Sequence, residues 1–152
     1  LRGRFADLPL ERQEEMLSLN VDALTRLAHR VMPGLIARGR GGVLNVASTA
    51  AFQAGPNMAV YYASKAYVLS FSEALHEEVK PQGVTVTALC PGPTQSEFAD
   101  VAGMDGSKLF RSRAMASADV ARLGVDGYLA GHAIVVPGLT NMLGSFAAGL
   151  LP

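Results

Sequence analysis

Tyr61 and Lys65, four residues apart, carry the strongest chemical signal in the sequence. On a helix that spacing brings both side chains to one face. A tyrosine hydroxyl has a reference pKa near ~10, too high for ready proton exchange at neutral pH. An ammonium within a few ångströms favours the phenolate and is expected to lower that value. The pair could then give a proton in carbonyl reduction and take one in alcohol oxidation. The neighbouring Tyr62 lies about 100° further round the helix, away from Lys65, and is assigned to packing or substrate contact.

Ser48 precedes Tyr61 by thirteen residues and directly follows a short apolar run. Open α/β sheets gather ligands at the C-terminal edge of their strands. There the Ser48 hydroxyl could hold a substrate carbonyl beside the tyrosine and stabilise developing negative charge. A turn or capping serine is the alternative, with Thr49 as an equivalent. Asn20 is the third candidate, the one polar member of an apolar helical stripe formed by Met16, Leu24, Leu27 and Val31. A buried amide needs a partner. A satisfied core asparagine and a water-holding relay residue both meet that need.

The elements that must position these groups follow from periodicity. A helix is expected over 10–37, behind Pro9, with Glu11, Glu14 and Glu15 near the positive end of its dipole and a bend at Pro33-Gly34. A glycine turn leads into a buried strand over 43–47, then a loop over 48–56. A second helix spans 58–80, with Val68, Phe71, Leu75 and Val79 sharing a face. Gln82-Gly83 turns the chain into a β-branched strand over 84–89, ended by Cys90-Pro91-Gly92-Pro93. Beyond a less regular stretch over 95–116, Ser117 is expected to N-cap a helix running to about residue 130, before a last strand over 132–136. Helices alternating with short apolar strands indicate an α/β fold with a parallel sheet. Strands 43–47, 84–89 and 133–136 are expected to be parallel neighbours.

The totals exclude several function classes. With 49% apolar and 17% charged residues, the 152-residue chain is globular and long enough for one core. Thirteen basic residues balance thirteen acidic ones, so nothing points to nucleic acid or an anionic membrane. The lone Cys90 rules out an internal disulfide and fits a cytoplasmic protein, and the three histidines lack short-range ligand spacing. No apolar run reaches the ~20 residues of a membrane span.

Taken together, Asn45-Val46-Ala47-Ser48, Tyr61-Tyr62-Ala63-Ser64-Lys65 and Cys90-Pro91-Gly92-Pro93-Thr94 resemble the short-chain dehydrogenase/reductase family in order and spacing. Leu19-Asn20-Val21 resembles the family's asparagine-bearing helix segment. The resemblance implies a Rossmann-like, doubly wound parallel sheet and an oxidoreductase that uses NADP or NAD on a small-molecule carbonyl or alcohol. It makes Tyr61 the acid/base, and Lys65 the residue that tunes it and binds the nicotinamide ribose. Ser48 becomes the carbonyl-orienting group, and Asn20 the holder of a relay water. Pro91 and Gly92 resemble the turn packed on the nicotinamide, and Thr94 the hydroxyl that meets its carboxamide or the phosphates. A homo-oligomer is implied for the full-length protein.

The sequence departs from the family in one respect. The family's TGxxxGxG turn, its cofactor-selecting residue and its NNAG segment are absent from these 152 residues. Gly39-Arg40-Gly41-Gly42 is no substitute, because it precedes a strand instead of opening a helix. Residues 1–152 are therefore expected to be a partial domain, inactive alone, with the N-terminal nucleotide-binding half missing. The choice between NAD and NADP cannot be read from them. In the substrate-loop position, Phe98, Val101, Met104, Leu109, Phe110 and Met115 suggest a lipophilic substrate, or else simply cover the core. Two other readings are a fold-retaining scaffold without turnover, disfavoured by an intact tetrad, and an epimerase or dehydratase, disfavoured by the lack of a larger C-terminal substrate domain.

Overall fold

A computed structural model describes residues 1–95 and 114–148. Three parallel strands form its sheet: β1 (Gly42–Val46), β2 (Thr85–Leu89) and, after two further two-residue strands, β5 (Ile134–Val135), in the order β1-β2-β5. Gly42 pairs with Thr85 and Val46 with Leu89, while Ala88 and Leu89 of β2 face Ile134 and Val135. The three expected strands are thus parallel neighbours. The central strand, flanked on both edges, is the most deeply buried, with Val86, Thr87 and Ala88 fully enclosed. That is why its sequence is nearly continuous in apolar and β-branched residues.

Helices cover both faces of this sheet. On one face lie α2 (Leu24–Arg38) and α3 (Ala59–Val79). Successive strand residues alternate faces, so Val86, Ala88 and Cys90 point to that side. There Val86 packs with Met32, Leu35 and Val79, and Ala88 and Cys90 with Val68 and Leu69. On the other face α4 (Ser117–Leu129) brings Gly124 against Leu89 and Gly127 against Val135. The layering is that of a doubly wound α/β fold. Beyond β2, the short strands β3 (Thr94–Gln95) and β4 (Met115–Ala116) pair in parallel. A final helix, α5 (Leu139–Ala148), follows β5.

The first helical stretch is continuous but not uniform. Helix α1 (Leu10–Leu17) passes through a π-helical segment, Ser18–Ala23, into α2. A π turn holds more residues than an α turn, so the inward face changes phase at Asn20. Its buried members are Gln13, Ala28, Met32 and Leu35, and Leu27, expected inside, is 64% exposed. Pro33 sits inside α2, whose C-terminus is closed by left-handed Gly39.

Helix α3 also presents a different face from the one hydrophobicity suggests. Its buried residues are Ser64, Val68, Leu69, Ser72, His76 and Val79, whereas Phe71 is only half-buried and stacks on Tyr67. The polar members each have partners. Ser64 accepts from Asn20 Nδ2 at 3.1 Å, and Ser72 from Asn45 Nδ2 at 2.9 Å. His76 Nδ1 donates to the Val86 carbonyl at 2.7 Å. Ser117 departs from expectation as well. Ala116 is the N-cap, no side chain caps the helix, and Ser117 is its first residue.

Candidate active site

The site forms where the loops after β1 and β2 meet the start of α3. The Ala47 amide still belongs to the sheet, donating to Leu89 O at 2.7 Å. Ser48 leaves it in extended conformation and caps the 3-10 turn Thr49–Phe52, its hydroxyl accepting from Ala50 N at 3.1 Å. Thr49 N donates to Pro91 O at 2.9 Å, which ties the two loops together. Both therefore lie at the C-terminal edge of the strands. Tyr61 stands in the first turn of α3 and Lys65 one turn on, as the four-residue spacing requires.

Ser48 is close enough to Tyr61 for its hydroxyl to act on the phenol as a hydrogen-bond partner. Burial raises the Tyr61 pKa above the ordinary tyrosine value; the Ser48 hydrogen bond opposes this, and Tyr62 adds to it. Lys65 Nζ lies 6.0 Å from the Tyr61 ring centroid and donates to the Val46 carbonyl at 3.0 Å. Burial also lowers the lysine's own pKa. The expected depression of Tyr61 by Lys65 is therefore not found in this state. Desolvation of the phenol is the largest influence on it, and the ammonium is engaged by a strand carbonyl. A neutral tyrosine at physiological pH is the proton-donor form.

Asn20 lies on the π segment, half-buried. Its amide donates to Ser64 Oγ, which in turn donates to the Tyr61 carbonyl at 2.8 Å. The side chain is thus satisfied within the fold and reaches the backbone of the site tyrosine through one hydroxyl. Tyr62 meets Tyr61 edge-on, with centroids 5.9 Å apart at 78°. Its ring also lies so close over Gly55 that a side chain there would collide with it, in keeping with a packing role.

A cavity of about 600 Å³ opens between these parts. Ser48, Tyr61, Tyr62 and Lys65 line it together with Pro91, Gly92 and Thr94. That is within the range of ligand pockets. Thr94 Oγ1 donates to Gly92 O at 3.0 Å, folding the turn on itself. Of the predicted site residues only Asn20 is outside the lining. Met58, Val46, Leu89 and Val120 add apolar surface that sequence reasoning had not assigned. Ser64 was also missed as a positioning group, although a serine inside Tyr-Tyr-Ala-Ser-Lys on the helix's inward face was a usable signal. Of the apolar substrate-loop residues, Phe98, Val101, Met104, Leu109 and Phe110 lie outside the described residues.

Beneath the site Cys90 is fully buried, and its thiol is pushed up to about 12, chiefly by that burial. Among the described residues no group of three or more His, Cys, Asp or Glu side chains could hold a metal ion. Nor is any described helix long and apolar enough to cross a membrane.

Comparison with known proteins points the same way as this geometry. Residues 2–105 match the family profile described as short chain dehydrogenase. The very-long-chain 3-oxoacyl-CoA reductase of Laccaria bicolor is 41% identical over 85 residues, covering 56% of this chain and 25% of the relative. The 2-keto-3-deoxy-L-fuconate dehydrogenase of Xanthomonas campestris is 33% identical over 116 residues, covering 73% and 39%. A short-chain dehydrogenase from Sphingobium yanoikuyae, solved in complex with NADPH, superposes with a TM-score of 0.82 at 29% identity. That superposition covers 98% of this chain and 59% of the other. The chain thus spans well under half of these curated relatives and about three-fifths of the solved structure.

Proposed function

This chain belongs to the short chain dehydrogenase family, and from that premise we propose that it forms the catalytic part of an oxidoreductase acting between a nicotinamide dinucleotide, NADP or NAD, and a carbonyl or alcohol. The observation that carries the reading is that Ser48, Tyr61 and, one turn beyond it, Lys65 share the wall of one cavity. A bound nicotinamide would supply or accept the hydride. The residues fit that end of the cofactor, because the cavity is roomy, mostly apolar and rimmed by Lys65, Thr94 and the Pro91-Gly92 turn.

This chain's own residues handle the proton. In reduction, Ser48 holds the substrate oxygen beside Tyr61, and the neutral phenol donates to that oxygen as negative charge develops on it. Burial, which keeps Tyr61 protonated, favours this direction. In oxidation the same phenol must first lose its proton, and the Ser48 hydrogen bond helps it do so. Lys65 stands at the cavity wall, where its ammonium can meet the ribose hydroxyls. Asn20, through Ser64, steadies the backbone of Tyr61 and serves the proton relay.

A lipophilic carbonyl substrate is the favoured class. Support comes from the apolar lining by Met58, Val46, Leu89 and Val120, and from similarity to a relative named for very-long-chain 3-oxoacyl-CoA. Similarity to a keto-deoxy-fuconate dehydrogenase supports a polar 2-keto acid as the second reading. Exposed Leu19 and Leu27 on the first helical stretch support self-association, and a lone reduced Cys90 supports a cytoplasmic setting. A phosphate-cradling glycine turn is not among these 152 residues, so the polypeptide tested alone should bind the dinucleotide poorly.

The direct test uses the protein that carries this chain. Oxidation of NADPH or NADH is followed by absorbance with a 3-oxoacyl thioester, a bulky aromatic ketone and a 2-keto sugar acid in turn. Turnover of one of them that collapses in Tyr61→Phe supports the reading. Turnover that survives in Tyr61→Phe would overturn it.

A further inference from the structure

Resting on that reading of the cavity, we infer that Asn141 is a positioning residue for the nicotinamide-facing wall, its amide setting where the Pro91-Gly92 turn stands. The turn is held from one side by Thr49 N, which donates to Pro91 O at 2.9 Å. From behind it meets Asn141, in the first turn of α5. A Cβ built on Gly92 would lie 2.5 Å from Asn141 Cγ, 2.5 Å from Nδ2 and 2.5 Å from Oδ1. Equal distances to three atoms of a planar group mean that its face, not its edge, covers Gly92. The amide is therefore a flat plate laid on the Gly92 Cα.

That plate is fixed in turn. Asn141 Nδ2 donates to Pro137 O at 2.8 Å, the carbonyl just before the left-handed Gly138 that opens α5. Helix α5 also packs against the 3-10 turn that follows Ser48. One helix thus braces both loops of the site, although Asn141 is not among the residues lining the cavity. Gly92 is not one of the positive-φ glycines. An alanine there meets no backbone strain, and the Asn141 amide is what its methyl would strike first. The contact can therefore be tested by a double-mutant cycle.

The experiment compares Gly92→Ala, Asn141→Ala and the double variant in the protein that carries this chain. Cofactor KM, kcat and melting temperature are measured for each. Gly92→Ala should raise cofactor KM by ~10-fold or more, within the range expected for residues in contact, and change kcat less. The double variant should return to within ~3-fold of Asn141→Ala, because the new methyl then fills the space the amide left. Asn141→Asp keeps the plate but loses its donor to Pro137, and should raise KM by a smaller factor than Gly92→Ala. A double variant that folds where Gly92→Ala does not supports the same conclusion. Melting temperatures test the contact with no cofactor present, so failure of this inference is distinct from failure of the functional reading. Gly92→Ala that is harmless, or equally harmful with and without Asn141, would sink it.

Discussion

Replacing Ser48 by alanine removes two interactions whose sizes can be worked separately. The first is structural. Ala50 N loses its acceptor at 3.1 Å, and loss of a capping side chain costs about 0.5–2 kcal/mol. For a chain of this size ~1 kcal/mol lowers the melting temperature by roughly 2–4 °C. The second is chemical. Tyr61 loses the hydrogen bond that favours its ionised form. Hydrogen bonds to charged groups are worth about 1.5–3 kcal/mol, and a half-buried site open to a cavity belongs at the low end. Each ~1.4 kcal/mol is tenfold in rate, so kcat/KM for alcohol oxidation should fall about tenfold through this interaction alone.

The direction of the pH response follows from the opposing influences on Tyr61. Burial raises its pKa and Ser48 lowers it, so Ser48→Ala leaves burial unopposed and the pKa rises further. Oxidation needs the phenolate, and its rising limb should move to higher pH. Reduction needs the phenol, and its falling limb should move the same way. Ser48→Thr, which keeps the hydroxyl, should restore both limbs. The measurement is a pair of pH–rate profiles read by cofactor absorbance, with melting curves alongside. A fall in melting temperature with unmoved limbs would reduce Ser48 to a cap, and the reasoning would be refuted.

Three further outcomes are expected. Tyr61→Phe should lower turnover by ~100-fold or more, the low end for general acid–base catalysis. Tyr62→Phe, whose ring packs on Gly55, should lower it by less than ~10-fold, and equal losses would contradict the assignment. Lys65→Met should weaken cofactor binding in calorimetry and leave the fold intact, since burial already disfavours the ammonium; unchanged affinity would count against a ribose contact. Cys90 holds its proton to about pH 12 when folded, whereas an unfolded thiol loses it near ~8.5. The folded pKa is the higher, so stability is full below the unfolded value and falls as pH climbs towards 12. Cys90→Ala should flatten denaturant midpoints over that window, and an equally steep decline would place the alkaline sensitivity elsewhere.

The strands and the gathering of Ser48, Tyr61 and Lys65 at one cavity were legible because each obeys a short-range rule. Buried parallel strands read as apolar runs, and i,i+4 spacing fixes which side chains share a helix face. What escaped notice depends on distant partners or on too few residues to carry a period. Ser64, Ser72 and His76 look like solvent residues until Asn20, Asn45 and Val86 are brought to them. Leu27 was misplaced because a single π segment rotates everything after it, and no residue type announces such a segment. Two-residue strands such as β3 and β4 have no periodicity to detect. Helix α5 was hidden by its short, glycine-interrupted apolar sequence, so the contact of Asn141 with Gly92 could not be foreseen.

The alternation of serine, valine, serine and histidine along α3 also governs how the chain avoids folding out of step. A smooth apolar stripe could slide one turn, about 5.4 Å, along the sheet and still bury similar area. This stripe cannot. A slip by one turn would break the bonds of Ser64, Ser72 and His76 to Asn20, Asn45 and the Val86 carbonyl. At about 1–3 kcal/mol for each buried group left unsatisfied, the misregistered state forfeits a sizeable part of the stability of an ordinary domain, ~5–15 kcal/mol. The polar members thus act as an indexing mechanism, admitting one axial setting of the helix. Because Tyr61 and Lys65 ride on the same helix, their positions over Ser48 are set in the same step that closes the core.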